Sequence, residues 1–324
     1  MFVLYNDYTT KKEKYRIYFF YWIFVFSDKK NKKWRSCLNS ILVKTQGRCR
    51  YFKCGMKRIF LLICFMLSLS CFASDYGVYI GAEKECVLSL LCNSERVKTA
   101  VLELSDFSKD DVALLHENQI EIFAYLNVGA IENFRTYYKD FAHLTLSPYE
   151  NWSEEFWIDV RKNEWQDFLV NTLAAAIAEK SADGFFLDNF DIYSLYKSDD
   201  VFQALLAILR GLRNYGVKII INGGDEAVSA ILESGKANLI DGVNQESVFS
   251  RIKSYKLQLF AKQKKDDTKY FVDYLDNVKR AGLEVFVIEY AKSKTLRSYC
   301  ENECEKRKYR YFVSTDLELD GGKK

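Results

Sequence analysis

Three short stretches of this chain place carboxylates and amides directly after apolar runs. In GFFLDNFDIY, the run Gly184-Phe185-Phe186-Leu187 leads into Asp188, Asn189, Asp191 and Tyr193. In DGVNQESVF, Val243 leads into Asn244, Gln245 and Glu246. In INGGD, Asn222 stands before Gly223, Gly224 and Asp225. An ionised carboxylate at the end of a buried run is costly unless it is hydrogen-bonded or used. Each of Asp188 and Glu246 therefore has two readings. It either caps the following loop or helix through backbone N–H groups and the helix dipole, or it does chemistry. As a pair they fit one reaction type well. One carboxylic acid protonates a leaving oxygen, and one carboxylate attacks carbon or activates water. A low dielectric and a like-charged neighbour would keep one of the two protonated near neutral pH.

The elements that must position this pair follow from hydrophobic periodicity. Eight short β-rich runs are expected at 78–81, 100–104, 122–128, 184–188, 218–222, 240–244, 285–290 and 311–314. Most are continuously apolar, as in strands covered on both faces. Amphipathic segments at 109–118, 164–180, 201–214, 226–234, 270–281 and 294–306 have helical spacing. Alternating strands and helices in this number predict an α/β fold, a single-domain TIM-type (β/α)8 barrel. An open doubly wound sheet is the rival, but no Gly-rich phosphate loop follows the first strand. In a barrel the functional groups gather at the C-terminal ends of the strands. Asp188 ends strand four and Glu246 follows strand six, next-but-one neighbours that can face each other across the mouth. The same rule yields a candidate substrate-binding set: Tyr125, Glu132, Asn189, Asp191, Tyr193, Asn222, Gln245, Glu289 and Tyr290. The longest connection, 129–183, adds Trp157 and Asp159, and carries Tyr137, Tyr138, Tyr149 and Trp152 as well. Long loops in compact domains are usually functional, and aromatic faces stack on sugar rings. The alternative for the tryptophans is core covering; for Glu132 and Asp159 it is pairing with Arg135 and Arg161. Trp157-Ile158-Asp159-Val160 could form a ninth strand but is read as an excursion. The Lys-rich stretch 262–269 is read as solvated surface.

Composition divides the chain. Residues 1–55 hold about 13 Lys/Arg against 3 Asp/Glu and are read as an extension preceding the true start. A basic arm or a membrane hairpin is the alternative. Met56-Lys57-Arg58 opens a basic, then apolar, then small-residue segment ending at Ala73, the pattern of a secretory signal peptide over 56–73. A lipoprotein cysteine at Cys71 fits less well, because Ser68 stands where a lipobox has Leu. Residues 74–324 form the expected barrel. They carry 32 Lys/Arg and 41 Asp/Glu, near −9, although the full chain is +3. An acidic exported protein disfavours nucleic acid and suits a cationic ligand. It is expected in the periplasm or outside the cell, as a monomer not inserted in a membrane. Four cysteines remain after cleavage, and closeness in sequence favours the pairs Cys86–Cys92 and Cys300–Cys304. No histidine flanks them, so zinc is disfavoured; no metal or cofactor is expected.

Over most of 77–292 the sequence resembles glycoside hydrolase family 114, the endo-α-1,4-polygalactosaminidase family. The resemblance is carried by WIDVRKNEWQDFLVNTLAAAIAEKSADGFFLDNFDIY, YLNVGAIENFR, INGG and DGVNQESVF. It implies a TIM barrel with Asp188 and Glu246 as the functional carboxylates, and hydrolysis of α-1,4-linked galactosamine polymers with retention. By analogy with related α-glycosidase barrels it implies Asp188 as nucleophile and Glu246 as acid/base. Ala130 and Ile221 depart from the family pattern, which bears on substrate identity rather than on the pair. A carbohydrate-binding barrel without turnover, and an envelope or polysaccharide-assembly partner, are the competing readings.

Overall fold

The computed structural model describes residues 75–321. Within them thirteen strands follow in chain order: β1 (Tyr76–Tyr79), β2 (Thr99–Leu102), β3 (Glu121–Asn127), β4 (Ala130–Glu132), β5 (Thr145–Pro148), β6 (Glu155–Ile158), β7 (Gly184–Asp188), β8 (Lys218–Asn222), β9 (Gly242–Glu246), β10 (Ser250–Ser254), β11 (Leu259–Lys262), β12 (Glu284–Tyr290) and β13 (Arg310–Ser314). Eight of them pair in parallel in the order β1-β2-β3-β7-β8-β9-β12-β13. β13 returns against β1, where Arg310 donates to Asp75 and to Thr99. The result is a nearly closed (β/α)8 barrel, as the eight apolar runs predict, and each strand lies within two residues of its expected limits.

Burial follows strand parity. One set of alternating side chains, Val78, Val101, Phe123, Phe186, Ile220, Phe286 and Ile288, fills the barrel. The other set, including Phe185, Leu187, Ile219, Ile221, Val243, Val285 and Val287, packs on the helices. The helices Asp199–Arg213 and Lys294–Arg307 begin at Ser198 and Ser293, whose hydroxyls accept from Val201 and Leu296 N–H. Lys109–Glu117 starts in a capping box of Ser108 and Asp111. Each such cap is worth about 1 kcal/mol. The helical segment beginning at Asn163 passes through a π-helical turn, Leu169–Leu173, before ending at Glu179. Its Trp165 is buried and donates to the Val128 carbonyl, tying the segment to the end of β3.

Two local readings are corrected, and two gain detail. The helix Lys84–Cys92 was not expected, although Val87 and Leu91 lie one turn apart on its buried face. The Lys-rich stretch is solvated surface as read, with no buried residue over 262–269, and it largely opens the helix Lys265–Arg280, whose first turn holds Asp266 and Asp267. Its positive charge is balanced by acids that suit a helix N-terminus. Residues 155–158 are a strand, but outside the barrel, in the antiparallel sheet β4-β6-β5. Finally, all four cysteines are free thiols. Cys86 and Cys92 share one helix, about 9 Å apart along its axis, beyond the roughly 7 Å reach of a disulfide. Cys300 and Cys304 lie one turn apart on the helix Lys294–Arg307. Side chains so spaced have Cβ atoms about 5–6 Å apart, where a disulfide needs about 3.8 Å.

The Cys300 thiol instead neighbours Glu289, which is fully buried and whose charge, after burial, pushes the thiol up. Glu289 accepts from the backbone N–H of Phe249 (2.8 Å) and Ser250 (2.6 Å), anchoring the start of the β10–β11 hairpin. Every neighbour named is a donor, so only an acceptor-rich group fits. Glu289→Gln should cost about 1–3 kcal/mol, because the amide must point N–H at N–H. Urea unfolding with an unchanged midpoint would show that Glu289 is not the anchor.

Candidate active site

Strand parity points Asp188, Asn222, Asn244, Glu246 and Tyr290 into the mouth of the barrel. Asp188 ends β7 and Glu246 ends β9; β8, between them, ends at Asn222. The Asn222 side-chain amide nitrogen donates to Asp188 Oδ1 at 2.8 Å and to Glu246 Oε1 at 3.0 Å. The two bonds laid end to end bound the separation of these oxygens at about 5.8 Å. Asn222 is itself fixed: its carbonyl oxygen accepts from Asn244 at 2.6 Å, and Asn244 accepts from the Tyr76 hydroxyl at 3.2 Å. The outer oxygens are held as well. Tyr125 donates to Asp188 Oδ2 at 3.0 Å, and Tyr290 donates to Glu246 Oε2 at 2.6 Å.

The backbone around these groups is specialised. Gly223 and Gly224 both have positive φ, 63° and 59°. A Cβ on Gly223 would stand 2.8 Å from Asp191 Oδ2, and one on Gly224 would stand 2.4 Å from Phe190 Cβ. The Gly-Gly turn thus lets the β8 end pass close beneath the loop after β7. Asn189 has φ 64°, in the left-handed region that Asn tolerates better than most residues. Its amide donates to Asn127 and to Glu155.

Electrostatics set the pair apart. Burial pushes the Asp188 carboxyl up to about 7, the Glu246 charge adds to this, and the Asn222 amide opposes it. Asp191 is raised to about 6 by burial and then by Asp225. Glu155 is raised to about 7, again mainly by burial. The hydroxyl of Tyr149 is held far above its ordinary range by burial and then by Asp188, Glu155, Asp191 and Glu246, so it borders all four carboxylates.

Of the sequence-derived set, the structure joins Asp188, Glu246, Asn222, Tyr125 and Tyr290 in one network, with Asn189 and Asp191 beside it. Asp191 accepts from Gly224 N–H at 3.2 Å. The others part from the network for identifiable reasons. Glu289 and Gln245 have the wrong parity and point away from the barrel axis; Glu289 anchors the hairpin, and Gln245 donates to the Glu246 carbonyl. Glu132 is paired through both oxygens with Arg135, which also reaches Glu103 at 2.8 Å. Asp159 is paired with Arg161 at 2.6 Å. Trp157 is 2% exposed and stacks on Tyr149, with centroids 4.5 Å apart. It backs an aromatic that borders the site and does not itself line it. Tyr193 packs on Phe202 and beneath Lys197.

Four residues went unselected. Asn127 and Asn244 could have been found by parity, since both end barrel strands on the inward face. Glu155 and Tyr149 have no such signal, because the antiparallel sheet that brings them over the mouth is not legible in the loop sequence. On the Glu246 side the β10–β11 hairpin performs the same service. Phe260 stacks on Tyr290 with centroids 5.6 Å apart, and the Glu246 charge, after burial, raises Tyr255. Among the described residues no group of three or more His, Cys, Asp or Glu could hold a metal ion.

Comparison with known proteins decides the family. The model of glycoside hydrolase family GH114 matches residues 89–323. This chain belongs to family GH114. It is a glycosidase built on the barrel common to its structural neighbours. The glycoside hydrolase domain of PelA from Pseudomonas aeruginosa is 21% identical, with a TM-score of 0.64 over 76% of this chain and 95% of that one. Ega3 of Aspergillus fumigatus, in a structure described as a complex with galactosamine, is 12% identical, with a TM-score of 0.60 over 76% and 92%. An uncharacterized protein of Thermotoga maritima is 20% identical over 243 residues, 67% of this chain and 72% of that protein.

The raised carboxyls have a consequence for stability. Asp188, Asp191, Glu155 and Glu289 take up protons more readily in the fold than in the unfolded chain, whose carboxyls titrate near 4. Their contribution is full below about pH 4 and is lost as pH rises through 6–7. Asp111, Asp159, Asp241 and Glu303 are lowered, so their contribution is lost only as pH falls below about 4. The melting temperature should therefore be higher at pH 5 than at pH 8. A scan in which it is equal or lower at pH 5 contradicts the burial of these carboxyls.

Proposed function

We propose that this GH114 chain hydrolyses a galactosamine-type polysaccharide, α-1,4-linked as the family resemblance implies, with Asp188 as nucleophile and Glu246 as acid/base. The observation that carries the proposal is the single Asn222 amide shared by the two carboxylates. It keeps their inner oxygens within about 5.8 Å. Carboxyl groups about 5–5.5 Å apart are characteristic of retaining glycosidases, and separations of about 6.5–9.5 Å of inverting ones.

The roles follow from the network. Glu246, protonated, gives its proton to the glycosidic oxygen as the bond from C1 breaks. Asp188 attacks C1 and forms a glycosyl ester. Glu246, now ionised, takes a proton from water, which attacks C1 and releases Asp188. Two negative charges held this close disfavour one another, so the pair keeps one proton near neutrality. When Glu246 serves as the acid of this scheme, its charge no longer raises Asp188, and burial, the larger cause, remains. Tyr125 and Asn222 then donate to the nucleophile's two oxygens and orient it.

The substrate class draws support from three sides: the family, the galactosamine in the Ega3 structure's description, and the acidity of residues 74–324. The signal segment 56–73 and the extension 1–55 lie outside the described residues. Export to the periplasm or the medium is proposed on the sequence pattern. Among the described residues no helix is long and apolar enough to cross a membrane.

Residues 74–324 should release reducing ends from galactosamine polymers, and Asp188→Asn should lower kcat/KM by about a thousandfold or more. Azide assigns the roles. Glu246→Ala with an activated α-glycoside should yield the α-glycosyl azide, and Asp188→Ala the β-azide. The opposite anomers would exchange the two roles, and an Asp188→Asn variant as active as wild type would remove Asp188 from the mechanism.

A further inference from the structure

Glu155 stands beside the pair without belonging to it. It enters from β6, on the small sheet that covers the Asp188 side of the mouth. Its Oε1 accepts from the amides of Asn127 and Asn189, both at 2.8 Å. Those amides are fixed in turn: Asn127 Oδ1 accepts from Asn189 at 2.9 Å and from Ala130 N–H at 3.0 Å. Glu155 Oε2 has no hydrogen-bond partner among the described residues and, although the residue as a whole is nine-tenths buried, this oxygen is open to solvent. Asn127 pairs with Asp188 in register and Asn189 follows Asp188 directly, so the residue that bonds both amides stands beside Asp188.

The clamp on Asn127 and Asn189 uses one oxygen only. A glutamine carbonyl would accept both bonds without bringing a charge into a buried site. The second oxygen is not sealed in the core but opens to the cavity, where a cationic group can meet a carboxylate and cannot be met by an amide in the same way. Arg135 is already engaged by Glu132 and Glu103. A cation that meets this oxygen would come from the ligand.

We infer that Glu155 is a specificity-determining residue: its free oxygen receives the ammonium of the amino sugar seated on Asp188, and so selects the free amine over the N-acetylated sugar. The inference rests on the amino-sugar reading above and extends it to one atom of this chain. An acetamido group in that place would offer one N–H but crowd its carbonyl and methyl against a carboxylate, which provides the discrimination. Glu155 touches no reacting atom in this scheme.

Glu155→Gln isolates the free oxygen, because the amide carbonyl can keep both clamp bonds while Nε2 replaces Oε2. Calorimetric titration with methyl α-galactosaminide and with its N-acetyl counterpart reads the effect. Wild type should bind the free amine about tenfold or more tighter. In Glu155→Gln the ratio should fall toward one. Equal affinities in wild type, or an undiminished ratio in a variant that melts with wild type, would overturn the inference. If Glu155→Gln is unstable, Glu155→Asp keeps the charge and must still favour the amine; loss of that preference counts against the role. The outcomes separate the two proposals. A preference without any hydrolysis by wild type sinks the catalytic reading and leaves this one standing. Hydrolysis without a preference does the reverse.

Discussion

One side-chain amide couples the two halves of this mouth. Asn222 sits on the strand between those bearing Asp188 and Glu246, and its NH2 group reaches both carboxylates. Like charges at that distance repel, and burial adds to the cost. The site relieves both by surrounding the pair with donors: Asn222 within, Tyr125 and Tyr290 without. Asn244 and Tyr76 then fix the amide so that its NH2 cannot exchange places with its oxygen. This chain of bonds runs across the barrel from β1 through β9 and β8 to β7. The geometry of the pair therefore depends on the register of the whole sheet rather than on any one loop.

Acidic side chains at the mouth divide by whether a cation already answers them. Glu132 and Asp159 have arginines, and Glu289 has backbone N–H groups. Their negative charge is spent on the structure. Asp188, Glu246, Asp191 and Glu155 have amides, hydroxyls or backbone N–H groups for partners and no arginine or lysine. This uneven compensation leaves the carboxyls nearest the pair without a bonded cation. It also explains why burial shifts Asp188 and Glu155 upward while Asp159 moves down.

Two insertions complete what the barrel begins. The β4-β6-β5 sheet brings Tyr149 and Glu155 over the Asp188 side. The β10–β11 hairpin brings Tyr255 and Phe260 beside Glu246. Each is anchored by a buried polar contact at its root, Glu155 on Asn127 and Asn189, and Glu289 on Phe249 and Ser250. The barrel supplies the paired carboxylates, and the insertions supply aromatic and acidic neighbours to them.

The barrel and the meeting of Asp188 with Glu246 at its mouth were legible in the amino-acid order because both rest on short-range rules. Apolar runs of five to seven residues must be covered on both faces, and the polar residue that ends such a run must lie at the strand mouth. Parity, applied strictly, would also have separated Glu246 and Tyr290 from Gln245 and Glu289. The roles of Glu155 and Tyr149, the pairing of Glu132 and Asp159, and the free state of the cysteines were settled by the tertiary structure. Each depends on where a segment far along the chain comes to rest, or on which face of a helix a residue occupies. A loop written as glutamates and tyrosines has many conformations of similar energy until strand pairing and a buried clamp select one.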